Sequence, residues 1–456
     1  MNGSLFGTVL IANRGEIALR VIRACRELGI RSVAVYSTAD RDSAAVAAAD
    51  HAVHIGPAPS RRSYLSIPAI IEAAHQSGAD AIHPGYGFLS EDPDFAEVCA
   101  EEKLTFIGPR PHTMAQLGDK SVARGLMSQA GLPLLPGSIQ PLADGESAAA
   151  LARQIGYPVI IKAVAGGGGR GMTVVHDPAD FAAAFSRTQA TALAVFGDPR
   201  VYVECYVVGA RHVEIQVLCD SQGNGIHLGA RDCSVQRRHQ KLIEESPSAA
   251  VSAEVAEEMG QAAVRAVLAV GYEGAGTVEF VVDAHGRYSF MEVNCRIQVE
   301  HPVTELMTGV DLVQEQLRIA SGLPLRYTQD DIRPSGHAIE CRVNCEDPRR
   351  DFIPTPGVLD RFDVPGGPFV RVDTHGRVNY RIPSDYDSLL AKVIVWAPDR
   401  DAAIDRMLRA LAEFKIEGRG VRSTIDFVCH VLDSEQFRAA SHDTALVAEL
   451  LAGFTA

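Results

Sequence analysis

The first hundred residues alternate short apolar runs with amphipathic stretches, and this alternation limits the possible fold more than any other feature of the sequence. The order is TVLIA, GEIALRVIRACRELG, SVAVYS, SIPAIIEAAHQSG and AIHPG. A β-α-β-α order is typical of a parallel sheet with helices on its faces. Ligands of such sheets collect at the carboxyl ends of the strands, which predicts a site around residues 13–15 and 83–87.

The remaining sequence divides at Pro/Gly-rich connectors. AGLPLLPGS, from residue 130, opens a compact unit of strands and a helix that continues to about residue 210. From residue 211, strand-like segments separated by Gly or Asp turns predict an antiparallel sheet, and a third strand-rich region follows the GLP stop at 322–324. We therefore predict a mixed α/β (α+β) fold. Its predicted domains are residues 1–115, 116–325 with a small mobile lid at about 130–210, and 326–456.

Composition excludes several classes of protein. The net charge is −14 and no long Lys/Arg tract offsets it, which argues against nucleic acid as a partner. No run of eighteen apolar residues occurs and the start lacks a signal-like segment, so we expect a soluble cytoplasmic protein without a membrane partner. The nine cysteines include no CxxC pair, which indicates neither a zinc site nor a disulfide framework.

The strongest local motif is the glycine run that follows Lys162, in KAVAGGGGRG. Glycines let a backbone approach a ligand and direct successive N–H groups at phosphate oxygens, while the lysine supplies a point charge. Lysine precedes the glycines and a strand follows them, so the motif differs from the P-loop. It predicts a mobile phosphate cover, with a plain flexible hairpin as the alternative.

Two acidic segments predict a cation site. Glu279 lies in GTVEF, and Glu292 and Asn294 lie thirteen and fifteen residues later in MEVN. Two carboxylates and an amide on neighbouring antiparallel strands offer the oxygen ligands of a hard cation such as nucleotide-bound Mg²⁺. Paired acids on strand faces are also common as solvated or salt-bridged surface, and this alternative stays open.

The adjoining segment RIQVEH predicts an anion site. If it forms a strand, Arg296, Gln298 and Glu300 face one way and Ile297 and Val299 the other. Arginine has the fork geometry for a planar carboxylate-like species, and glutamate could remove a proton from it. A salt-bridged strand face is the alternative.

Several motifs in one order carry a family resemblance. They are GDK at 118–120, the glycine run, RHVEIQ at 211–216, ARDCSVQRRHQK at 230–241, EVNCRIQVEHPVTE at 292–305 and ECRVN at 340–344. Together they resemble the biotin carboxylases of the ATP-grasp superfamily, over essentially the whole chain. The resemblance implies an ATP-grasp fold with an N-terminal α/β domain, a small lid and a strand-rich C-terminal domain.

The resemblance also implies roles for individual residues. Those implied at ATP are Lys120, Lys162, Gly168, Gly169, Glu204, Cys205, Tyr206, Val207, His212, Gln236, His239, Glu279 and Glu292. Those implied at Mg²⁺ or Mn²⁺ are Glu279, Glu292 and Asn294. Those implied at bicarbonate are Lys241, Arg296, Gln298, Val299 and Glu300, with Arg296 catalytic and Glu300 the base. Tyr86 and Arg342 are implied at biotin, with Arg342 and Lys241 also catalytic.

The implied activity is a ligase reaction. ATP and bicarbonate carboxylate biotin on a carrier protein through carboxyphosphate, as the first half-reaction of an acyl-CoA carboxylase, with acetyl-CoA carboxylase and fatty acid biosynthesis expected. The implied partners are the biotin carboxyl carrier protein, a carboxyltransferase subunit and a second copy of the chain. The rivals are another ATP-grasp enzyme, such as a purine-pathway carboxylase or a carboxylate–amine ligase, and a nucleotide-binding regulatory protein. Ala165, Cys205, Ala230 and Cys295 depart from the family's common residues, which bears on adenine contacts and lid mobility.

Overall fold

The structure, a computed structural model, describes residues 5–142, 144–165 and 169–454. The N-terminal elements are β1 (Thr8–Ile11), α1 (Gly15–Glu27), β2 (Arg31–Ser37), α2 (Ala44–Ala48), β3 (His51–Gly56), α3 (Ile67–Ser77), β4 (Ala81–His83), α4 (Pro93–Glu101), β5 (Thr105–Phe106), α5 (Pro111–Gly118) and α6 (Lys120–Gln129). The five strands form a parallel sheet in the order β3-β2-β1-β4-β5, which confirms the predicted β-α-β-α arrangement.

Strand β1 is apolar from Val9 to Ile11 because both faces of this sheet are covered. Val9 and Ile11 pack in the core that contains α1, whereas Leu10 packs with Ile70 of α3 and Phe95 of α4 on the other face. A strand buried on both sides is an unbroken apolar run, as in parallel sheets generally. The carboxyl ends of β1 and β4 therefore lie at one edge, beside residues 13–15 and 83–87.

A small unit follows, with its own hydrophobic core. It consists of α7 (Gly145–Ile155), β6 (Val159–Ala163), β7 (Met172–Val175), α8 (Phe181–Phe196) and β8 (Val201–Cys205). Its three strands are antiparallel in the order β7-β6-β8, and the two helices bury Ala148, Phe181 and Phe185 against them. This core is separate from the others, so the small unit is a distinct packing unit.

The largest sheet is antiparallel. It is built from β9 (Arg211–Cys219), β10 (Gly225–Arg237), β11 (Gln240–Ser246), β12 (Gly274–Val282), β13 (Tyr288–Asn294), β14 (His337–Asn344), β19 (Val370–Thr374) and β21 (Leu389–Ala397), and the helices α9 (Ala253–Ala269), α10 (His301–Thr308) and α11 (Leu312–Ala320) lie between them in sequence. The strand order is β13-β12-β9-β10-β11-β14-β21-β19. The predicted antiparallel pairing of the segments from 211 to 294 is therefore confirmed.

This sheet also joins two regions that the sequence separates. Strand β11 pairs with β14, with Glu244 opposite Glu340 and Ile243 opposite Cys341. The strands after residue 326 therefore extend the sheet that begins at residue 211. The sequence predicted a third strand-rich region but did not predict this continuity.

The remaining elements surround β14 and β21. They are β15 (Glu346–Asp347), β16 (Ile353–Pro354), β17 (Gly357–Val358), β18 (Arg361–Asp363), β20 (Arg381–Ile382), α12 (Arg400–Glu413), β22 (Lys415–Glu417), α13 (Ile425–Leu432), α14 (Glu435–Arg438) and α15 (Leu446–Phe454). Helices α12 and α13 pack on the sheet through Met407 and Phe427. Among the described residues, no helix combines the length and apolar character needed to cross a bilayer.

Candidate active site

A cavity of about 1160 Å³ lies between the N-terminal sheet, the small unit and the large sheet. All the predicted site residues that the structure describes line it: Tyr86, Lys120, Lys162, Gly169, Glu204, Cys205, Tyr206, Val207, His212, Gln236, His239, Lys241, Glu279, Glu292, Asn294, Arg296, Gln298, Val299, Glu300 and Arg342. Gly168 lies outside the described residues. The structure thus brings these residues to one place, and the role of each stays a prediction.

At one end of the cavity, the two lysines predicted at ATP each contact a carboxylate. Lys162 of β6 contacts Glu204 of the neighbouring strand β8, and Lys120, the first residue of α6, contacts Glu292 of β13. Burial alone would lower the pKa of Lys120, but Glu292 raises it, so the ammonium stays charged. Two charged lysines aimed into a cavity provide the point charges that phosphate groups require.

The glycine loop meets His239 across this end of the cavity. Gly169 has φ +77°, and a Cβ atom placed on it would lie 2.3 Å from Cδ2 of His239. A side chain at this position would therefore overlap the imidazole as well as strain the backbone. Because Gly169 has no side chain, its backbone can lie directly against the ring.

The predicted metal residues lie on facing strands. Glu279 of β12 is directly opposite Glu292 of β13, and Asn294 Nδ2 donates to Glu279 Oε1 at 2.8 Å. Burial alone would raise the pKa of Glu279, but Lys241 and His212 hold it well below its usual value. Ionised carboxylates with an amide oxygen beside them fit a hard divalent cation. Imidazole and carboxylate atoms of His212, Glu214 and Glu279 also converge closely enough to share an ion.

Lys241 occupies the centre of the cavity floor. Its Nζ lies 2.6 Å from Glu214, 3.3 Å from Glu279 and 2.5 Å from Glu300. Burial would lower the pKa of Lys241, but the surrounding carboxylates and Cys233 raise it well above its usual value. The lysine is therefore a fixed cation, suited to hold an anion rather than to transfer a proton.

The two predicted arginines flank this cation. Arg342 of β14 donates to Glu300 Oε2 at 2.9 Å and to Glu244 at 2.6 Å. Arg296 donates to Glu91 at 2.8 Å and to Asn294 Oδ1 at 3.1 Å. Both arginines line the cavity, and a guanidinium group suits a planar oxyanion.

The prediction that RIQVEH forms a strand is wrong. Strand β13 ends at Asn294, and residues 295–300 form a bend and a turn before α10 begins at His301. Pro302 at the start of α10 favours a helical turn there, so Glu300 becomes the residue that precedes the helix. Ile297 is nonetheless fully buried while Arg296, Gln298 and Glu300 line the cavity, together with Val299.

Several buried residues that contact the cavity-lining side chains were not assigned from the sequence. Arg231 is fully buried and donates to Glu214, Gln216, Thr277, Gln298 and Thr304 at 2.6–3.2 Å. Arg231 and Glu214 lie within the motifs ARDCSVQRRHQK and RHVEIQ, so the signal was present. Arg124, which donates to Glu204 at 2.6 Å, lies in α6 outside the quoted motifs, four residues after Lys120.

The predicted biotin residue Tyr86 follows β4 at the edge of the N-terminal sheet. Its hydroxyl donates to Glu16, in the first turn of α1. Burial raises the pKa of Tyr86 well above its usual value, so the phenol is a neutral donor. Tyr86, beside the N-terminal sheet, and Arg342, on the large sheet, therefore line the same cavity.

Three family models match consecutive parts of the chain. They are the biotin carboxylase N-terminal domain over residues 5–114, the ATP-binding domain of the carbamoyl-phosphate synthase L chain over 119–328, and the biotin carboxylase C-terminal domain over 340–449. The biotin carboxylase of a Nostoc species is 53% identical over 445 residues, which is 98% of this chain and 99% of that protein. The chain belongs to the biotin carboxylase family. It is therefore a ligase that carboxylates biotin.

Solved structures of biotin carboxylases have the same fold. A biotin carboxylase–β-γ-ATP complex from Campylobacter jejuni has a TM-score of 0.95 and 46% identity, and the match covers 97% of this chain and 99% of that one. The biotin carboxylase domain dimer of 2-oxoglutarate carboxylase from Hydrogenobacter thermophilus, in complex with MgADP, ADP and bicarbonate, has a TM-score of 0.94 and 45% identity, with 98% of each chain covered. The ATP-grasp fold predicted from the biotin carboxylase motifs is confirmed.

Of the residues that depart from the family's common pattern, Cys205 lines the cavity and Ala165 is exposed. Cys205 is half-buried at the cavity wall, and burial raises the pKa of its thiol. Cys295 and Ala230 are buried, and the backbone N–H of Cys295 donates to Glu91 at 2.9 Å. None of these side chains replaces a charged group of the cavity floor.

Proposed function

We propose that this chain uses ATP and bicarbonate to carboxylate biotin on a separate carrier protein, as the first half-reaction of an acyl-CoA carboxylase. The acceptor we propose is acetyl-CoA, in fatty acid biosynthesis, with a carboxyltransferase subunit completing the reaction. The observation that carries this proposal is the position of Glu300. Lys241 lies 2.5 Å from one of its oxygens and Arg342 lies 2.9 Å from the other. The proposed base Glu300 therefore contacts both the lysine proposed to bind bicarbonate and the arginine proposed to bind biotin.

In the first step, bicarbonate lies between Arg296 and Glu300. Glu300 accepts the bicarbonate proton, and the oxygen that loses it attacks the γ-phosphorus of ATP while the bond to the β-phosphate oxygen breaks. Lys120, Lys162 and Lys241 neutralise charge on the phosphate oxygens. The products of this step are carboxyphosphate and ADP.

The residues for a divalent cation fit this step. Glu279, Glu292 and Asn294 would hold Mg²⁺ or Mn²⁺, which supplies charge neutralisation at the phosphate oxygens of the nucleotide. Lys120 and Lys241 each lie beside one of these carboxylates, and these contacts with cations support the proposal that the carboxylates hold a metal ion. The oxygen-rich donor set is the one that such hard ions prefer.

In the second step, carboxyphosphate breaks to CO₂ and phosphate. The phosphate takes the N1 proton of biotin, and N1 then bonds to the carbon of CO₂. Arg342 stabilises the negative charge that develops on the ureido oxygen, and Tyr86 contacts the biotin ring. Arg342 lies at the cavity wall and contacts Glu300, so the biotin step takes place beside the residue that accepts the bicarbonate proton.

The proposal extends to the domains of the chain, its oligomeric state and its location. Residues 1–115, 116–325 and 326–456 act as three domains, and the small unit within 130–210 acts as a lid over the nucleotide. The separate core of that unit supports lid movement. The dimer of the Hydrogenobacter relative supports a homodimer, and a cytoplasmic location fits a chain that acts with separate carrier and transferase proteins.

The test is ATP cleavage with and without bicarbonate, free biotin and a biotinylated carrier domain. We expect phosphate release to require bicarbonate and to rise with biotin, and ¹⁴C from labelled bicarbonate to appear on the carrier. ATP cleavage that is indifferent to bicarbonate would overturn the proposal.

A second candidate acceptor is a 2-oxo acid. The Hydrogenobacter relative belongs to a 2-oxoglutarate carboxylase, and its cavity-bearing domain is as similar to this chain as that of the Campylobacter enzyme. Transfer of the label from the carrier to acetyl-CoA or to a 2-oxo acid, with each candidate transferase in turn, decides between the two acceptors.

A further inference from the structure

Lys392 is a fully buried cation behind the cavity, and the reaction described above does not use it. It lies on β21, directly opposite Arg342 of β14. A buried ammonium is costly unless it is paired and hydrogen-bonded. The partners of Lys392 therefore show what this cation holds in place.

The first partner of Lys392 is Val299, one of the residues proposed to bind bicarbonate. Lys392 Nζ donates to the backbone carbonyl of Val299 at 2.8 Å. Val299 lies in the turn that leads into α10, and the next residue is Glu300. A charge-assisted hydrogen bond to this carbonyl fixes the turn, and with it the direction of the Glu300 side chain.

The second partner of Lys392 is Glu16, which in turn contacts Tyr86, a residue proposed to bind biotin. Lys392 Nζ lies 3.0 Å from Glu16 Oε1, and the same oxygen accepts the hydroxyl of Tyr86. The other oxygen of Glu16 is buried and has no hydrogen-bond partner among the described residues. Burial raises the pKa of Glu16, and Lys392 opposes that shift. The orientation of Glu16, and through it of Tyr86, therefore depends on Lys392.

We infer that Lys392 is a positioning residue that fixes the bicarbonate turn at Val299 and the biotin contact at Tyr86 relative to each other from one buried ammonium. This inference rests on the proposed function, because it concerns the two substrates of that reaction. Lys392 touches neither substrate and acts through Val299 and Glu16. Its loss should affect bicarbonate and biotin but leave the ATP end of the cavity unchanged.

A purely structural role is the competing explanation, since Lys392 also lies 3.8 Å from Asp373 and neutralises buried acids. The two explanations differ when the buried charge is removed together with the lysine. Lys392→Met leaves Glu16 without its cation, whereas Lys392→Met with Glu16→Gln removes both charges. Only the positioning role predicts that bicarbonate binding stays weak in the double variant, because the Val299 carbonyl still lacks its donor.

The experiment measures KM for bicarbonate, biotin and ATP, and the melting temperature, in the parent, Lys392→Met and Lys392→Met/Glu16→Gln. Lys415→Met is the matched control, because Lys415 is exposed on β22. We expect KM for bicarbonate to rise about tenfold or more in both Lys392 variants, as the loss of one hydrogen bond to a charged group allows. We expect KM for ATP to change less than twofold, KM for biotin to rise, and the melting temperature to recover in the double variant.

The outcomes separate the inference from the proposed function. A parent that cleaves ATP without needing bicarbonate overturns both. A bicarbonate-dependent parent whose double variant recovers the parent's KM for bicarbonate along with its melting temperature overturns the inference alone. If Lys392→Met does not fold, the double variant decides by the same criterion, and a double variant that also fails to fold assigns Lys392 a structural role and overturns the inference.

Discussion

Lys241 Nζ lies 2.5 Å from Glu300 Oε1, so the predicted base of the reaction is paired with a cation before substrate enters. Burial alone would raise the pKa of Glu300, but Lys241 and Arg342 hold it well below its usual value. A carboxylate with so low a pKa accepts a proton poorly. Bicarbonate or phosphate oxygens that bind Lys241 should weaken its contact with Glu300. The pKa of Glu300 should then rise, which makes this carboxylate a stronger base toward bicarbonate.

Glu300→Gln should keep the shape of this group and remove its capacity to accept a proton. We expect bicarbonate-dependent ATP cleavage to fall roughly a hundredfold or more, with carboxybiotin formation falling equally. Phosphate release and carboxybiotin measured in one assay check this, with Mg-nucleotide affinity as the control for misfolding. Normal bicarbonate-dependent cleavage in the variant would remove Glu300 from its proposed role.

Arg342→Ala should impair only the second step of the reaction, because the proposed role of Arg342 is at biotin. We expect bicarbonate-dependent ATP cleavage to be largely retained while most carboxybiotin formation is lost. The variant leaves Glu244 buried without its arginine, so Arg342→Ala/Glu244→Gln is the matched control for that unpaired charge. The assigned role is wrong if ATP cleavage is abolished as fully as in Glu300→Gln, in both the single and the double variant.

Gly169→Ala should weaken ATP binding. The added Cβ would lie 2.3 Å from His239 at a backbone φ of +77°, so the loop could not lie against the ring. We expect KM for ATP to rise about tenfold, as a cost of 1.4 kcal/mol implies. Gly197 has a similar φ of +75° with nothing within 4 Å of its Cβ position, so Gly197→Ala tests backbone strain alone. Equal effects in both variants would exclude the contact with His239 as the cause.

ATP binding should protect the small unit from hydrogen exchange. Because α7, α8 and strands β6 to β8 have their own core, opening of this unit does not require opening of the N-terminal sheet. We expect ATP to slow exchange in residues 145–205 more than in residues 8–106, measured by mass spectrometry of peptic fragments. Equal protection in both ranges would make the glycine loop an ordinary hairpin.

Glu245 should make folding stability depend on pH in the acid range. Burial alone would raise its pKa, but His337 and Arg400 lower it from the ordinary value of 4.5 to about 2. Because the folded pKa is the lower one, the stabilisation is complete above about pH 4.5 and is lost as the pH falls toward 2. Glu245→Gln should cost about 3 kcal/mol at pH 7, as for a buried pair that loses one partner. Urea unfolding of the parent and of Glu245→Gln at pH 7 and pH 4 checks this. The prediction is contradicted if the difference in free energy of unfolding between the two proteins is the same at both pH values.

The sequence predicted the parallel and antiparallel sheets because their patterns are local. Apolar runs, turn residues and alternation identify β1, β2, β4, β9, β10, β12 and β13 without knowledge of distant contacts, whereas β3, β5 and β11 were not predicted as separate strands. The motifs likewise predicted which residues line the cavity, since each motif brings several of them together. The pairing of β11 with β14 was not predictable, because about ninety residues separate these strands and no local signal specifies their register. The strand prediction for RIQVEH failed because alternation also describes an extended bend that ends in a helix.

The functions of buried polar residues were the hardest to predict. Arg231 and Lys392 are charged residues with no exposed surface, and their partners come from distant segments. Composition shows only that the chain contains six lysines and many arginines. Which of these hold a backbone carbonyl or a carboxylate in place depends on three-dimensional contacts.

The pairing of β11 with β14 determines how this chain can be divided. A fragment that ends near residue 326 would leave β11 as an open sheet edge, with unpaired backbone groups that favour aggregation with other chains. It would also separate Lys241 from Arg342, which lie on these two adjacent strands. Exchange of segments between related enzymes should therefore succeed only when residues 211–397 are moved as one piece.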